Sequence, residues 1–340
     1  MIYKRNTVIM SNFDDLFSDE ELDKKMSFLD EQKSTGKDGL YRVDLSKVTD
    51  KKRGYRATVR FLPNLTKDGD IGPSAIEKIS HYVDTKQVPE LAGYYDSPKN
   101  INSETGAPFS SKCPLTETYW SLKNSKSAIL HEKADMLNYA RKYFSYVLVM
   151  EDEQQKENVG KIMVFQYGKT IKDKIGQERN GDISGEPCNI FSLKNGKDFR
   201  LIVKEVQDDK GNTFPDYRMC QFMSNTSSIS LPTGDGIKNI PLGEDGSISS
   251  EHQEKIKEFV LNRDTDIEDF SPKALTEEQE SKISEIINYL TGRTSEKASA
   301  AEPSSDDFSF DDASETESKD ESVESVESDS SEDDDFDFKF

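Results

Sequence analysis

From about residue 301 onward Ser, Asp and Glu dominate the chain, and residues 302–340 hold 17 acidic and two basic residues. Such a segment cannot bury enough apolar surface to offset the entropy of ordering it, and its like charges repel. It is read as a disordered acidic tail over residues 299–340, so the packed core must be assembled from what precedes it. This confinement changes the meaning of the net charge of −21. Residues 41–220 carry 29 basic and 25 acidic residues, so a mildly basic body precedes the acidic end. The sum argues against a polyanionic partner, but binding is governed by the local distribution of charge, which keeps one in view.

A chain of 340 residues has room for one or two domains. No apolar run approaches the roughly 18–20 residues that span a bilayer, and Met1-Ile2-Tyr3-Lys4-Arg5 lacks the apolar stretch of a signal peptide. The expectation is a soluble, intracellular protein. Cys113, Cys188 and Cys220 are too few and too scattered for a disulfide framework, and no pair has C-x-x-C spacing, which suits reduced thiols. No repeat of the solenoid type is present.

Periodicity then assigns the elements. Near the start, Ser18-Asp19-Glu20-Glu21 reads as a capping box with Leu22, Met26 and Leu29 at helical spacing behind it, predicting a short helix over 18–32. The run Tyr55-Arg56-Ala57-Thr58-Val59-Arg60-Phe61-Leu62 alternates, which predicts a strand with Arg56, Thr58 and Arg60 on a basic outer face. Further strands are expected at 143–150, 161–168 and 199–206, rich in β-branched and aromatic residues. Residues 64–140, with five prolines, form too long a connection for a plain loop and are read as an inserted subdomain with a helical patch over 131–142. After a polar stretch come two helices, over 251–262 and from the capped Thr276-Glu277-Glu278-Gln279, with Ile283, Ile286, Ile287 and Leu290 on one stripe. Both are expected to pack on the body. The fold class is mainly β with α, divided into an N-terminal arm over 1–35, a core over 36–230, a linker with two helices over 231–298, and the tail.

Catalytic signatures are missing. Gly168-Lys169-Thr170 looks like the end of a phosphate loop, but Met163 stands where that loop needs its first glycine. His131-Glu132 lacks the second His of a zinc-protease helix. Three His in the whole chain leave little material for a nucleophile–base pair, and the protein is read as not an enzyme.

The informative pattern is aromatic residues set beside basic ones: Arg141-Lys142-Tyr143-Phe144, Phe165-Gln166-Tyr167-Gly168-Lys169 and Phe214-Pro215-Asp216-Tyr217-Arg218. Single-stranded nucleic acid calls for this mixture, because cations neutralise phosphates while rings stack on bases at about 1–3 kcal/mol each. An alternating strand also buries one face, so some of these rings belong to the core. Alternation does not say which of Tyr143 and Phe144, or of Gln166 and Tyr167, points inward. Lys4-Arg5-Asn6-Thr7 adds a basic arm opposite the acidic tail. The competing reading is an acidic-tailed interaction or chaperone module whose β body has no nucleic-acid groove.

At this point the sequence resembles the single-stranded DNA-binding, helix-destabilising proteins of T-even-like bacteriophages. The resemblance is carried by residues 157–175, with Gly160-Lys161 leading into Phe165-Gln166-Tyr167-Gly168-Lys169-Thr170-Ile171-Lys172-Asp173-Lys174-Ile175, and by Arg60-Phe61-Leu62-Pro63, residues 143–149, 199–206 and Phe214-x-x-Tyr217 in the same order. It covers residues 1–222 and, in character, the tail. It implies an oligonucleotide-binding (OB) barrel with an inserted subdomain and a groove for single-stranded DNA. It also implies cooperative self-association through Lys4, Arg5 and Thr7, a tail that recruits replication and recombination proteins, and action in replication, recombination and repair in the cytoplasm of an infected bacterium. The groove cations are then Arg56, Arg60, Arg141, Lys142, Lys161 and Lys169, and the groove aromatics Tyr143, Phe144, Phe165, Tyr167, Phe214 and Tyr217. The family's zinc site, one His and three Cys, falls on His81 and Cys113, with Thr116 at the second Cys of the C-x-x-C and the remaining Cys position near Ser103. Structural zinc is held by four N or S donors. No zinc is therefore expected, and packing around Tyr94, Tyr95, Tyr119 and Trp120 is expected to hold the subdomain.

Overall fold

The computed structural model describes residues 39–292, apart from 67–68, 84–88, 104, 184, 208–210 and 212. The N-terminal arm with its expected helix, Lys4, Arg5 and Thr7, and the acidic tail lie outside the described residues.

Thirteen strands and five α-helices are described. The strands are β1 (Leu40–Tyr41), β2 (Tyr55–Leu62), β3 (Asn64–Leu65), β4 (Ile71–Gly72), β5 (Ile76–Val83), β6 (Gly93–Asp96), β7 (Leu137–Asp152), β8 (Ile162–Tyr167), β9 (Gly196–Gln207), β10 (Thr213–Asp216), β11 (Gln221–Ser227), β12 (Ser230–Thr233) and β13 (Gly236–Asn239). The helices are α1 (Pro114–Lys123), α2 (Ala128–Ala134), α3 (Lys169–Asn180), α4 (Ser250–Leu261) and α5 (Glu277–Thr291). Nine strands share one sheet in the order β1-β8-β7-β2-β9-β10, with β11 also on β9 and with β5 and β6 branching from β7. The molecule is mixed α/β and mostly strand, and among the described residues no sheet closes on itself.

Strand β7 joins the two halves. Its first half pairs with β5, from Leu137 against Val83 to Phe144 against Ile76, and its second half pairs with β2 and β8. The expected helix over 131–142 therefore stops at Ala134. Residues 137–142 extend instead, because pairing with Val83 to Lys78 satisfies their backbone groups and outweighs local propensity. Helix α3 has no counterpart among the expected elements. It starts behind Gly168, buries Ile171, Ile175 and Glu178, and ends at Gly181, whose φ of 78° suits the left-handed cap.

The sheet is covered on both faces over much of its area. One face carries Tyr55, Val59, Phe61, Val147, Val149, Phe165, Phe199 and Leu201 in one core cluster. The other carries Leu62, Phe144, Tyr146, Leu148 and Val164, roofed by Ile256 and Val260 of α4 and by Phe270. A third cluster holds the subdomain, where Val83, Leu91, Tyr95, Leu115, Leu122 and Leu137 meet Ile283, Ile286 and Leu290 of α5. Helix α5 therefore packs on the subdomain and not on the body. Of the four aromatic residues expected to hold the subdomain, Tyr95 is buried and Tyr119 packs against the cluster. Tyr94, on the opposite face of β6, and Trp120, on the outer side of α1, are 52% and 56% exposed.

Candidate nucleic-acid interface

The two-sided cover decides the fate of most of the expected groove aromatics. Tyr143 and Tyr167 lie in the inner cluster, stacked with ring centroids 5.7 Å apart, and Tyr167 Oη is 2.9 Å from Ser145 Oγ. Phe165 sits beside them, edge-on to Tyr41 at 5.8 Å. Phe144 points the other way and stacks on Phe270 at 5.4 Å. Both neighbours in Tyr143-Phe144 are thus buried, as are Phe165 and Tyr167, and none of the four presents a ring face to a base.

Arg60 is corrected in the same way. It is 1% exposed, and its guanidinium donates to Asp198 Oδ1 at 3.1 Å, Ser227 Oγ at 2.9 Å, Ser192 O at 2.9 Å and Ser227 O at 2.8 Å. Burial opposes its charge and draws its pKa down, while Asp198 works the other way. It is a structural clamp, not a groove cation.

What remains of the basic face lies one strand further along. Register sets Arg56 beside Ile202 and Thr58 beside Arg200, and β10 sets Phe214 beside Val206 and Asp216 beside Lys204. Because paired residues in an antiparallel ladder share a face, Arg56, Arg200, Ile202, Lys204 and Phe214 stand on one side of the β2–β9–β10 ribbon. Arg200 is exposed, and Arg56, Ile202, Lys204 and Phe214 are half-buried. Within the described residues no ion pair joins Arg56, Arg200 or Lys204, and Arg56 Nε is buried without a hydrogen-bond partner. Arg200 and Lys204 are absent from the expected groove set, although the alternation of residues 199–206 already places them with Ile202 on one face.

The other expected residues are more scattered. Tyr217 packs against the inner cluster, and its neighbour Arg218 forks onto Asp216 at 2.8 and 2.9 Å. Lys161 and Lys169 are exposed, before β8 and at the start of α3, and Lys142 is half-buried. Arg141 is 41% exposed, with Nε 3.1 Å from the buried Glu77 carboxylate and Nη2 3.2 Å from Tyr139 Oη. Burial works against its charge, but Tyr139 and Glu77 outweigh it and lift the pKa above the usual value.

The would-be metal ligands do meet. Cys113 Sγ lies 3.4 Å from His81 Nε2, which is also 3.1 Å from Thr116 Oγ1. Burial pushes the Cys113 thiol up, but hydrogen bonds from His81, Ser97 and Thr116 and the His81 charge bring it down to about 6. The third and fourth positions are hydroxyls, which are poor zinc donors, and among the described residues no three His, Cys, Asp or Glu gather as a metal site. This donor set does not fit structural zinc. Nor, among the described residues, is any helix long and apolar enough to cross a membrane.

A family model described as "gp32 DNA binding protein like" matches residues 54–290, which includes the β2–β9–β10 ribbon, the subdomain and both C-terminal helices. The chain is also 26% identical over 182 residues to the "Single-stranded DNA-binding protein" of Enterobacteria phage T4. That similarity covers 51% of this chain and 52% of the phage protein, so the chain spans about half the length of the curated relative it matches. With a ribbon carrying cations and a half-exposed ring on one face, and a family match over most of its length, the chain belongs to the gp32-like DNA-binding proteins.

Proposed function

We propose that this protein binds single-stranded DNA without sequence preference, coating exposed template and melting its secondary structure, and that it performs no catalysis. The observation that carries the reading is the β2–β9–β10 ribbon, where Arg56, Arg200 and Lys204 stand on one face with Phe214 at the end of the row, next to Lys204. Cations at strand spacing can follow a phosphate backbone, and a ring at the end of their row offers a stacking platform that every base can use. A duplex hides its base faces, so single strands bind better, and mass action then melts hairpins. Arg141, Lys142, Lys161 and Lys169 supply further cations away from the ribbon. The sheet is read as an opened OB-type barrel, a fold that binds single strands in this way.

The finer parts of the reading rest on the resemblance. The arm bearing Lys4, Arg5 and Thr7 joins neighbouring copies along the strand, and the acidic tail competes for the cations or recruits replication and recombination proteins inside an infected bacterial cell. The test is a titration of full-length protein against fluorescent oligo-dT and a matched duplex across a range of salt. The expected result is single-strand-selective binding whose log affinity falls with log salt by roughly 0.7 per phosphate contact. Absence of binding to either ligand at low salt overturns the reading in favour of a protein-interaction module.

A further inference from the structure

A second feature lies beside the ribbon. Between residues 186–197 and 224–226 is a cleft of about 670 Å³, within the size range of small-ligand sites. Its near wall is made by a slip in register, because Phe222 lies opposite Phe199 while Thr226 lies opposite Lys197. Three residues, 223–225, therefore stand against Asp198 alone, and the bulge leaves Ser224 and Asn225 exposed. Bulges of this kind re-aim side chains next to functional sites. The far wall is the loop bearing Asn189, Ser192 and Asn195. Arg60 ties the two walls together, donating through Nη2 to Ser192 O on one and Ser227 O on the other. Gly196 is required beneath them, since a Cβ there would lie 2.6 Å from both Arg60 Nη2 and Ser192 O.

The lining selects the ligand. Amides and hydroxyls dominate it, and its one lysine, Lys197, is buried and paired with the buried Glu178. Glu186 contributes a carboxylate. That balance is wrong for a phosphate, which needs uncompensated cations. No aromatic residue lines the cleft, so it is not a stacking platform. Amides and hydroxyls are the groups that read the hydrogen-bonding edges of bases. Asn189 is set up as such a group. Its Oδ1 accepts from Phe191 N at 3.0 Å, which fixes the amide, while its Nδ2 is buried with no hydrogen-bond partner among the described residues. A buried donor in that state gains from any ligand acceptor that reaches it.

We propose that this cleft receives one nucleobase turned out of the bound strand and holds it by its edge, with Asn189 Nδ2 donating to a base acceptor; the inference rests on the single-stranded DNA reading above. Lys197 of the cleft lies three residues along β9 from Arg200, about 10 Å at strand rise, and the odd spacing turns it to the other face. Among the described residues β11 pairs only with β9, so a strand on the ribbon reaches the cleft by passing around this edge at the bulge. The phosphates stay on the ribbon and the cleft adds a contact that depends on a base.

The test compares full-length protein with Asn189→Ala, which removes the donor without adding charge, and with Asn225→Ala in the exposed bulge. Each is titrated against oligo-dT and against an abasic deoxyribose-phosphate strand of equal length. The expected result is an affinity loss of about fivefold, the scale of one neutral hydrogen bond, on oligo-dT only, with the salt slope unchanged. Equal losses on both strands, or no loss on either, overturn the base cleft while leaving the DNA reading standing. Failure of the unaltered protein to bind oligo-dT overturns both.

Discussion

Arg60 and Arg200 occupy the same face of adjacent strands, yet one guanidinium is enclosed by four acceptors and the other is exposed. Nothing in the alternation of residues 55–62 and 199–206 separates them, because the partners of Arg60 come from residues 132, 138 and 167 positions away. Truncating Arg60 leaves Asp198 and two carbonyls unpaired, and Arg60→Ala is expected to lower stability by about 3–5 kcal/mol in urea unfolding. A lysine cannot fork to all four acceptors, so Arg60→Lys should recover only part of that loss. Arg200→Ala is the converse case. It is expected to leave the unfolding midpoint nearly unchanged while reducing the log–log salt slope for oligo-dT by about 0.7, one phosphate contact. An unchanged slope would remove Arg200 from the interface.

Among the elements, strands with β-branched or aromatic alternation were legible, and β2, β8 and β9 begin and end within a few residues of their expected positions. The faces were not. Period-2 reasoning assumes one buried side, whereas α4 and Phe270 cover the second side of β7, so Tyr143 and Phe144 are both core. The first half of β7 was misread because its pairing partner, β5, lies more than fifty residues earlier in the chain. Helix α5 was legible in detail, since Thr276 accepts from Gln279 N and Gln279 Oε1 accepts from Thr276 N, closing the capping box. Thr276→Ala is expected to cost about 1 kcal/mol, read as a lower thermal midpoint. Its effect should be felt first in the subdomain, on which α5 packs, and protection of the Val83 and Leu122 amides from hydrogen exchange would show it.

At the scale of the whole molecule, the subdomain is held by an apolar cluster that includes α5, with Cys113 and His81 hydrogen-bonded inside it. Elemental analysis of purified protein is expected to find no stoichiometric zinc, and a chelator to leave the melting temperature in place. One zinc per chain would overturn that account. Truncation after Ala301 removes most of the net negative charge, and a tail that competes for the ribbon predicts higher oligo-dT affinity in the shortened protein. Unchanged affinity would leave the tail a docking role only.

The shared strand β7 has a mechanical consequence. Its sixteen residues span roughly 50 Å if extended, with a bulge at Met150, and are clamped by β5 at one end and by β2 and β8 at the other. Two lobes joined by a flexible linker can close on a ligand like a jaw, whereas two lobes built on one strand resist closing, because it strains a ladder of backbone hydrogen bonds. Under the single-stranded DNA reading, accommodation then falls mainly to the DNA, whose backbone bends and whose bases rotate to fit the protein surface.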